Sequence, residues 1–123
     1  MPPIRVLIAD DHRLFAEALE AILSTDTRIA VAATARDGRE AVALADEHRP
    51  DVILMDISMP VMDGLEAVEE LQRRGIGAGV LMLTGSNARD DVDRARQAGA
   101  AGYVTKDRIA AELIDAIVEV ASR

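Results

Sequence analysis

Short apolar runs alternate with helix-patterned segments five times along this chain, and few folds accept that rhythm. Ile4-Arg5-Val6-Leu7-Ile8-Ala9 and Val52-Ile53-Leu54-Met55 are too continuously apolar to leave one side in water, so they read as strands covered on both faces. Strands joined by helical crossovers run parallel. The expected fold class is therefore α/β, a single-domain three-layer α/β/α arrangement around a parallel sheet. Strands are expected over Ile4–Ala9 and residues 28–34, 52–55, 80–83 and 101–104. Periodicity does not give their order in the sheet.

The intervening segments carry apolar stripes at helical spacing. Helix one, over residues 12–24, is expected to bury Phe15, Ala18, Leu19 and Ile22. The second opens on Asp37-Gly38-Arg39-Glu40, which has capping-box spacing, and buries Ala41, Val42 and Ala45. Asp63-Gly64-Leu65-Glu66 repeats that signal ahead of Val68 and Leu71, and Gly75 and Gly77 close the third helix. The fourth is expected from Ala88 to Gly99 with Val92, Ala95 and Ala98 inward. The fifth, over residues 108–121, buries Ile109, Leu113, Ala116, Ile117 and Val120.

A formal net charge of −8 argues against direct nucleic-acid binding by this chain. The Arg73-Arg74 pair reads as the last turn of a helix. No apolar run is long enough to span a membrane and no signal-peptide pattern opens the chain. The absence of cysteine excludes disulfides and thiolate metal sites without fixing the compartment; with no export signal, a cytoplasmic location is expected.

Residues just past the ends of parallel strands gather at one edge of the sheet, where open α/β folds bind ligands. Here they are Asp10-Asp11, Asp56, Thr84 and Lys106. Adjacent carboxylates repel unless a cation is present, and oxygen donors of this kind suit Mg²⁺ shared with a phosphate. From the pair alone, Asp11 as a helix N-cap and Asp10 as an exposed strand end is an equal alternative. Asp56 follows a run that is apolar after Asp51, so its carboxylate emerges from the sheet centre, placed to attack a phosphoryl donor. Thr84 offers a hydroxyl, Gly85 leaves room beside it, and Lys106 supplies a compact cation. His12 adjoins the acidic pair and could be a ligand, but Mg²⁺ disfavours imidazole; His48 falls in the last turn of the second helix, where the dipole favours it; both read as surface residues.

Asp10-Asp11, Asp56-Ile57-Ser58-Met59-Pro60 with Met62-Asp63-Gly64, Leu83-Thr84 and Gly99-Ala100-Ala101-Gly102-Tyr103-Val104-Thr105-Lys106 together resemble the receiver domain of two-component response regulators, over essentially all of residues 1–123. The resemblance implies a flavodoxin-like receiver fold of five parallel strands in the order 2-1-3-4-5. It implies that Asp56 accepts a phosphoryl group from a phosphohistidine of a sensor histidine kinase. Mg²⁺ would be held by Asp11, Asp56 and the Ser58 backbone carbonyl, with Asp10 reaching it through water. Thr84 and Lys106 would contact the acyl phosphate, Thr84 and Tyr103 would form the switch, and Ser58 and Ser86 would tune dephosphorylation, leaving it moderate. The chain is thus expected to be a phosphoacceptor regulator and not an enzyme, with homodimerisation on phosphorylation through the fourth helix, fifth strand and fifth helix. Ile114 and Val118 are candidates for that face.

Asp107 stands where many receivers have proline, and Asp107-Arg108 looks like a helix start, similar to the NarL/FixJ-like subclass. Receivers of that subclass precede a DNA-binding helix-turn-helix domain, and the chain stops at Arg123 without one. Transcription control through a missing output domain, and a stand-alone receiver or phosphorelay intermediate acting by protein contacts, are both expectations. A flavodoxin-like electron carrier would want a hydroxyl-rich loop after the first strand and stacking aromatics, against one Phe, one Tyr and no Trp. A phosphohydrolase would want a second acid where Ser58 stands, and a substrate cap.

Overall fold

The structure, a computed structural model, describes residues 2–85 and 89–123. The elements are β1 (Ile4–Ala9), α1 (Arg13–Leu23), β2 (Ile29–Ala35), α2 (Gly38–His48), β3 (Val52–Asp56), α3 (Gly64–Arg73), β4 (Gly79–Thr84), α4 (Arg89–Ala98), β5 (Gly102–Thr105) and α5 (Ile109–Ala121), the last preceded by a 3-10 turn at Lys106–Arg108. The expected α4 start at Ala88, and the candidate Ser86, lie outside the described residues.

All strand pairs are parallel and the order is β2-β1-β3-β4-β5, the receiver-type, flavodoxin-like order. The period of two in the strands divides the core. Leu7, Ala9, Ile53, Met55, Val80 and Met82 pack with residues of α2, α3 and α4 on one face. Val6, Ile8, Val52, Leu54, Leu81, Leu83 and Val104 pack with α1 and α5 on the other. One sheet buried on both sides explains why these strands are continuously apolar.

Four strands run one residue further than the sequence pattern suggests, β2 to Ala35 and three of them onto a polar residue, Asp56, Thr84 and Thr105. Asp56 pairs with Leu83, and Thr84 with Thr105, so Asp56 and Thr84 belong to the sheet and not to loops after it. Apolar patterning ends a strand at its last apolar residue, whereas the hydrogen-bond ladder continues beneath a polar side chain. The consequence is rigidity where the site needs it.

The buried stripe of α1 is Ala16, Leu19 and Leu23; Phe15 and Ile22 flank it half-buried and Ala18 is exposed. The helix is therefore rotated from the expected face, which leaves Phe15 at the margin of the sheet edge. In α5, Ile109, Leu113, Ile117 and Val120 are buried, while Ala116, Ile114 and Val118 are half-buried.

Both helix caps form, with one difference. Asp63 and Glu66 make a full capping box on α3. On α2 the Asp37 carboxylate accepts from the Glu40 N–H, but Glu40 accepts from the N–H of Arg36, one residue earlier than a capping box would have it. Gly75, at φ 68°, closes α3; its N–H donates to the Gln72 carbonyl and that of Ile76 to Leu71, a Schellman pattern.

The segment between β3 and α3 is pinned tightly. The Gly64 N–H donates to the Ile57 carbonyl at 2.8 Å, and a Cβ at Gly64 would strike the Asp56 carbonyl oxygen. The Gly38 N–H donates to the Met62 carbonyl at 2.9 Å, and a Cβ there would strike that oxygen. Glycine at both helix starts is thus a matter of close backbone approach.

Candidate functional site

Asp10 is 1% exposed, its backbone N–H still donating to Ala35 of the neighbouring strand at 3.0 Å. Its Oδ1 accepts from the His12 N–H at 2.8 Å, while its Oδ2 is buried with no hydrogen-bond partner among the described residues. A buried carboxylate oxygen without a donor is uncommon and calls for a cation or water. The residue capping α1 is His12 and makes no side-chain cap bond. Asp11 is therefore not the helix cap, and Asp10 is not an exposed strand end: the alternative reading of the pair fails on both counts.

Asp56, 4% exposed, reaches the same place from the end of β3. Asp10, Asp11, His12 and Asp56 each offer a ligand atom, and these atoms lie within 4.8 Å of one another. Asp56 Oδ1 accepts from the Ser58 N–H at 3.3 Å, and Asp56 Oδ2 faces the Lys106 ammonium at 3.4 Å. Burial pushes the Asp56 carboxyl above its ordinary range, and the charge of Asp10 adds to that push. Lys106 and the Ser58 N–H pull in the opposite direction. The net effect is a carboxylate held at an electrostatic cost that a cation would relieve.

The site opens into a cavity of about 280 Å³ lined by His12, Asp56, Ser58, Thr84, Gly85 and Lys106, together with Ile57 and Asp91. Thr84 is 4% exposed there, at the end of β4. The strand-end set thus converges as expected from the sequence. Tyr103 does not line this cavity. It borders a broader groove with Thr105, Asp107, Arg108 and Glu112, and Gly85 is common to both. The residue is 37% exposed, with the Arg96 guanidinium 5.9 Å from the ring centre.

Two neighbours of this cluster, Phe15 and Asp91, escape sequence reasoning, and a third, His12, was weighed and set aside. Phe15 was expected in the core, yet the Lys106 ammonium stands 4.7 Å from its ring centre. His12 is at the surface as expected, with 70% of its side chain exposed, but its Nδ1 is 3.2 Å from Asp11 Oδ1 and 3.5 Å from Asp10 Oδ1. Its position directly after the acidic pair was the available signal. Asp91, in the first turn of α4, carries no pattern that would mark it.

Residues 6–118 match the family model of the response regulator receiver domain. The transcriptional regulatory protein DegU of Brevibacillus brevis is 40% identical over 118 residues, 96% of this chain and 50% of that protein. The nitrate/nitrite response regulator protein NarP of Escherichia coli is 40% identical over 115 residues, 94% of this chain and 54% of that protein. Among solved structures, the signal receiver domain of NarL from Mycobacterium tuberculosis superposes with a TM-score of 0.95 at 34% identity, covering 99% of this chain and 98% of that one. The chain belongs to the receiver domain family of two-component response regulators, with relatives of the NarL, NarP and DegU type. It spans about half the length of the curated relatives it matches. Among the described residues no helix is long and apolar enough to cross a membrane.

Proposed function

We propose that this domain is a phosphorylation-operated switch and not a turnover enzyme. Asp56 is its phosphoacceptor and a sensor histidine kinase its donor. The observation that carries this reading is the buried Asp56 carboxylate at the end of β3, with Lys106 at 3.4 Å and Asp10 and Asp11 beside it. A carboxylate oxygen of Asp56 attacks phosphorus, the P–N bond to the donor imidazole breaks, and that imidazole leaves with a proton. Lys106 pairs with Asp56 beforehand and with the new phosphoryl oxygens afterwards. Thr84 donates to the phosphoryl group, Gly85 leaves room for it, and Ser58 admits water for its removal at a moderate rate.

The donor set fits Mg²⁺: two adjacent carboxylates, a third from β3 and the orphaned Asp10 Oδ2. Asp11, Asp56 and the Ser58 carbonyl would hold the ion, with Asp10 behind it. Bound there, it supplies charge neutralisation for a dianionic donor approaching an anionic nucleophile.

Thr84 moving towards the phosphoryl group frees space into which Tyr103 turns, which changes the face made by α4, β5 and α5. That face then drives dimerisation or an output. Control of transcription through a helix-turn-helix domain is favoured by the relatives' names and by their greater length; a stand-alone receiver in a phosphorelay is the second reading. Incubation with acetyl phosphate and Mg²⁺ is expected to add one phosphoryl mass, and Asp56→Asn to abolish it. A mass gain that survives in Asp56→Asn would overturn the assignment. Equal sedimentation with and without beryllofluoride would overturn the dimerisation step alone.

A further inference from the structure

Among the described residues, two carboxylates line the phosphoacceptor cavity, Asp56 and Asp91, and the second has no part in the chemistry proposed above. Asp91 stands half-buried in the first turn of α4, where the helix dipole favours a negative charge. It lies outside the group of Asp10, Asp11, His12 and Asp56, whose ligand atoms gather within 4.8 Å. It joins none of the ion pairs found among the described residues. Lys106, the permanent cation among the described residues lining the cavity, is engaged with Asp56 at 3.4 Å. Arg94, about one turn along α4, lines a separate groove with Leu65 and Glu69 of α3. A molecule entering the cavity therefore meets the Asp91 charge without a compensating neighbour among the described residues.

We infer that Asp91 selects the phosphodonor by charge, disfavouring acyl phosphate dianions relative to N-phosphoryl donors whose nitrogen carries a proton. The inference rests on reading Asp56 as the phosphoacceptor. At neutral pH acetyl phosphate is a dianion, whereas phosphoramidate, protonated on nitrogen, is a monoanion. With the N-phosphoryl donor an Asp56 oxygen attacks phosphorus, the P–N bond breaks, and the protonated nitrogen leaves with the electron pair as neutral ammonia. A protonated phosphohistidine reacts in the same way and releases neutral imidazole. With acetyl phosphate the P–O bond breaks and acetate leaves. A cavity of about 280 Å³ spans roughly 7 Å, and unit charges that far apart at a wet surface repel enough to slow a rate about threefold. The dianion meets that repulsion twice over and the monoanion once. Discrimination thus comes from a repulsive element beside the acceptor and needs no added contact with the favoured donor.

The test is the initial rate of phosphorylation of the full chain with Mg²⁺ by acetyl phosphate and, separately, by phosphoramidate, read by intact mass. Wild type, Asp91→Asn and Asp91→Glu are compared at about 0.05 M salt and at about 1 M, where charges are screened beyond about 3 Å. At low salt Asp91→Asn is expected to speed acetyl phosphate about tenfold and phosphoramidate about threefold. The phosphoramidate-to-acetyl phosphate rate ratio therefore falls about threefold, Asp91→Glu keeps the wild-type ratio, and the difference fades at high salt. An unchanged ratio in Asp91→Asn, a shift of the same size at high salt, or an Asp91→Glu ratio matching that of Asp91→Asn would overturn the inference. Each of those results leaves Asp56 standing as phosphoacceptor. No phosphorylation of wild type by either donor, or a mass gain that persists in Asp56→Asn, would overturn the phosphoacceptor reading and this inference with it.

Discussion

The Lys106 ammonium rests 4.7 Å from the centre of the Phe15 ring, and its other neighbour is the Asp56 carboxylate at 3.4 Å. An aromatic face attracts a cation by about 0.5–1 kcal/mol at an exposed site and more when desolvated. Phe15 therefore biases where the lysine waits. Phe15→Leu keeps an apolar side chain of similar reach and removes the ring. The expected result is a phosphorylation rate by acetyl phosphate a few-fold slower, with stability lowered by only about 1 kcal/mol. Stopped-flow rates set against denaturant melts separate the two effects; an unchanged rate would show that the ring does not position Lys106.

Asp56 carries a folded-state pKa above its ordinary value, through burial first and the charge of Asp10 second. A carboxyl that holds its proton more tightly folded than unfolded contributes stability fully below about pH 4, the unfolded value. That contribution is lost as pH rises through the folded value. At neutral pH the ionised Asp56 is therefore a cost, and Asp56→Asn removes it. The partly exposed Lys106 can be rehydrated in that variant. Without divalent cation, Asp56→Asn is expected to melt a few degrees higher at pH 7, about 1 kcal/mol for a domain of this size. The gain should shrink as pH falls through the folded value and be gone below about pH 4. A variant that melts lower than wild type at pH 7 would contradict this account of the site's electrostatics.

Val61 sits at φ 69°, in the left-handed region that β-branched residues avoid, while the Met62 N–H donates to the Pro60 carbonyl at 2.7 Å across it. This is a three-residue turn of the strained hand. The side chain is 69% exposed, so little packing offsets the strain. Val61→Gly relieves it but adds entropy to the unfolded chain. A net stabilisation of up to about 1 kcal/mol is expected, readable by urea denaturation. Destabilisation would mean the turn tolerates valine at no cost.

Tyr103 is the only tyrosine and there is no tryptophan, so intrinsic fluorescence reports this ring alone. With Arg96 5.9 Å from the ring centre, the exposed position gains about 0.5–1 kcal/mol. Arg96→Ala is expected to reduce acrylamide quenching of the unphosphorylated protein, as the ring spends more time turned inward. Unchanged quenching would assign the outward position to packing alone.

Much of this site could be read from the sequence because strand ends announce themselves: an apolar run stops, and a carboxylate, hydroxyl or amine follows. Asp10, Asp11, Asp56, Thr84 and Lys106 all carry that mark. The strand order did not come from patterning, since alternation of strands and helices is the same for any order of parallel strands; the motifs supplied it by resemblance. Phe15 was hidden because an apolar residue at helical spacing looks like core, and only the observed rotation of α1 separates it from Ala16, Leu19 and Leu23. His12 was set aside because Mg²⁺ disfavours imidazole, and that rule says nothing about its ion pairs with Asp10 and Asp11. Val61 gave no signal, because its conformation is imposed by its neighbours' hydrogen bonds and not by its own preference.

The central claim is that Asp56, and no other carboxylate of this crowded edge, becomes the acyl phosphate. Borohydride reduces an aspartyl phosphate to homoserine, so peptide mapping after phosphorylation and reduction reads the position directly. The account predicts homoserine at position 56 alone. Homoserine at Asp10, Asp11 or Asp63, or a phosphorylated protein that yields none, would contradict it.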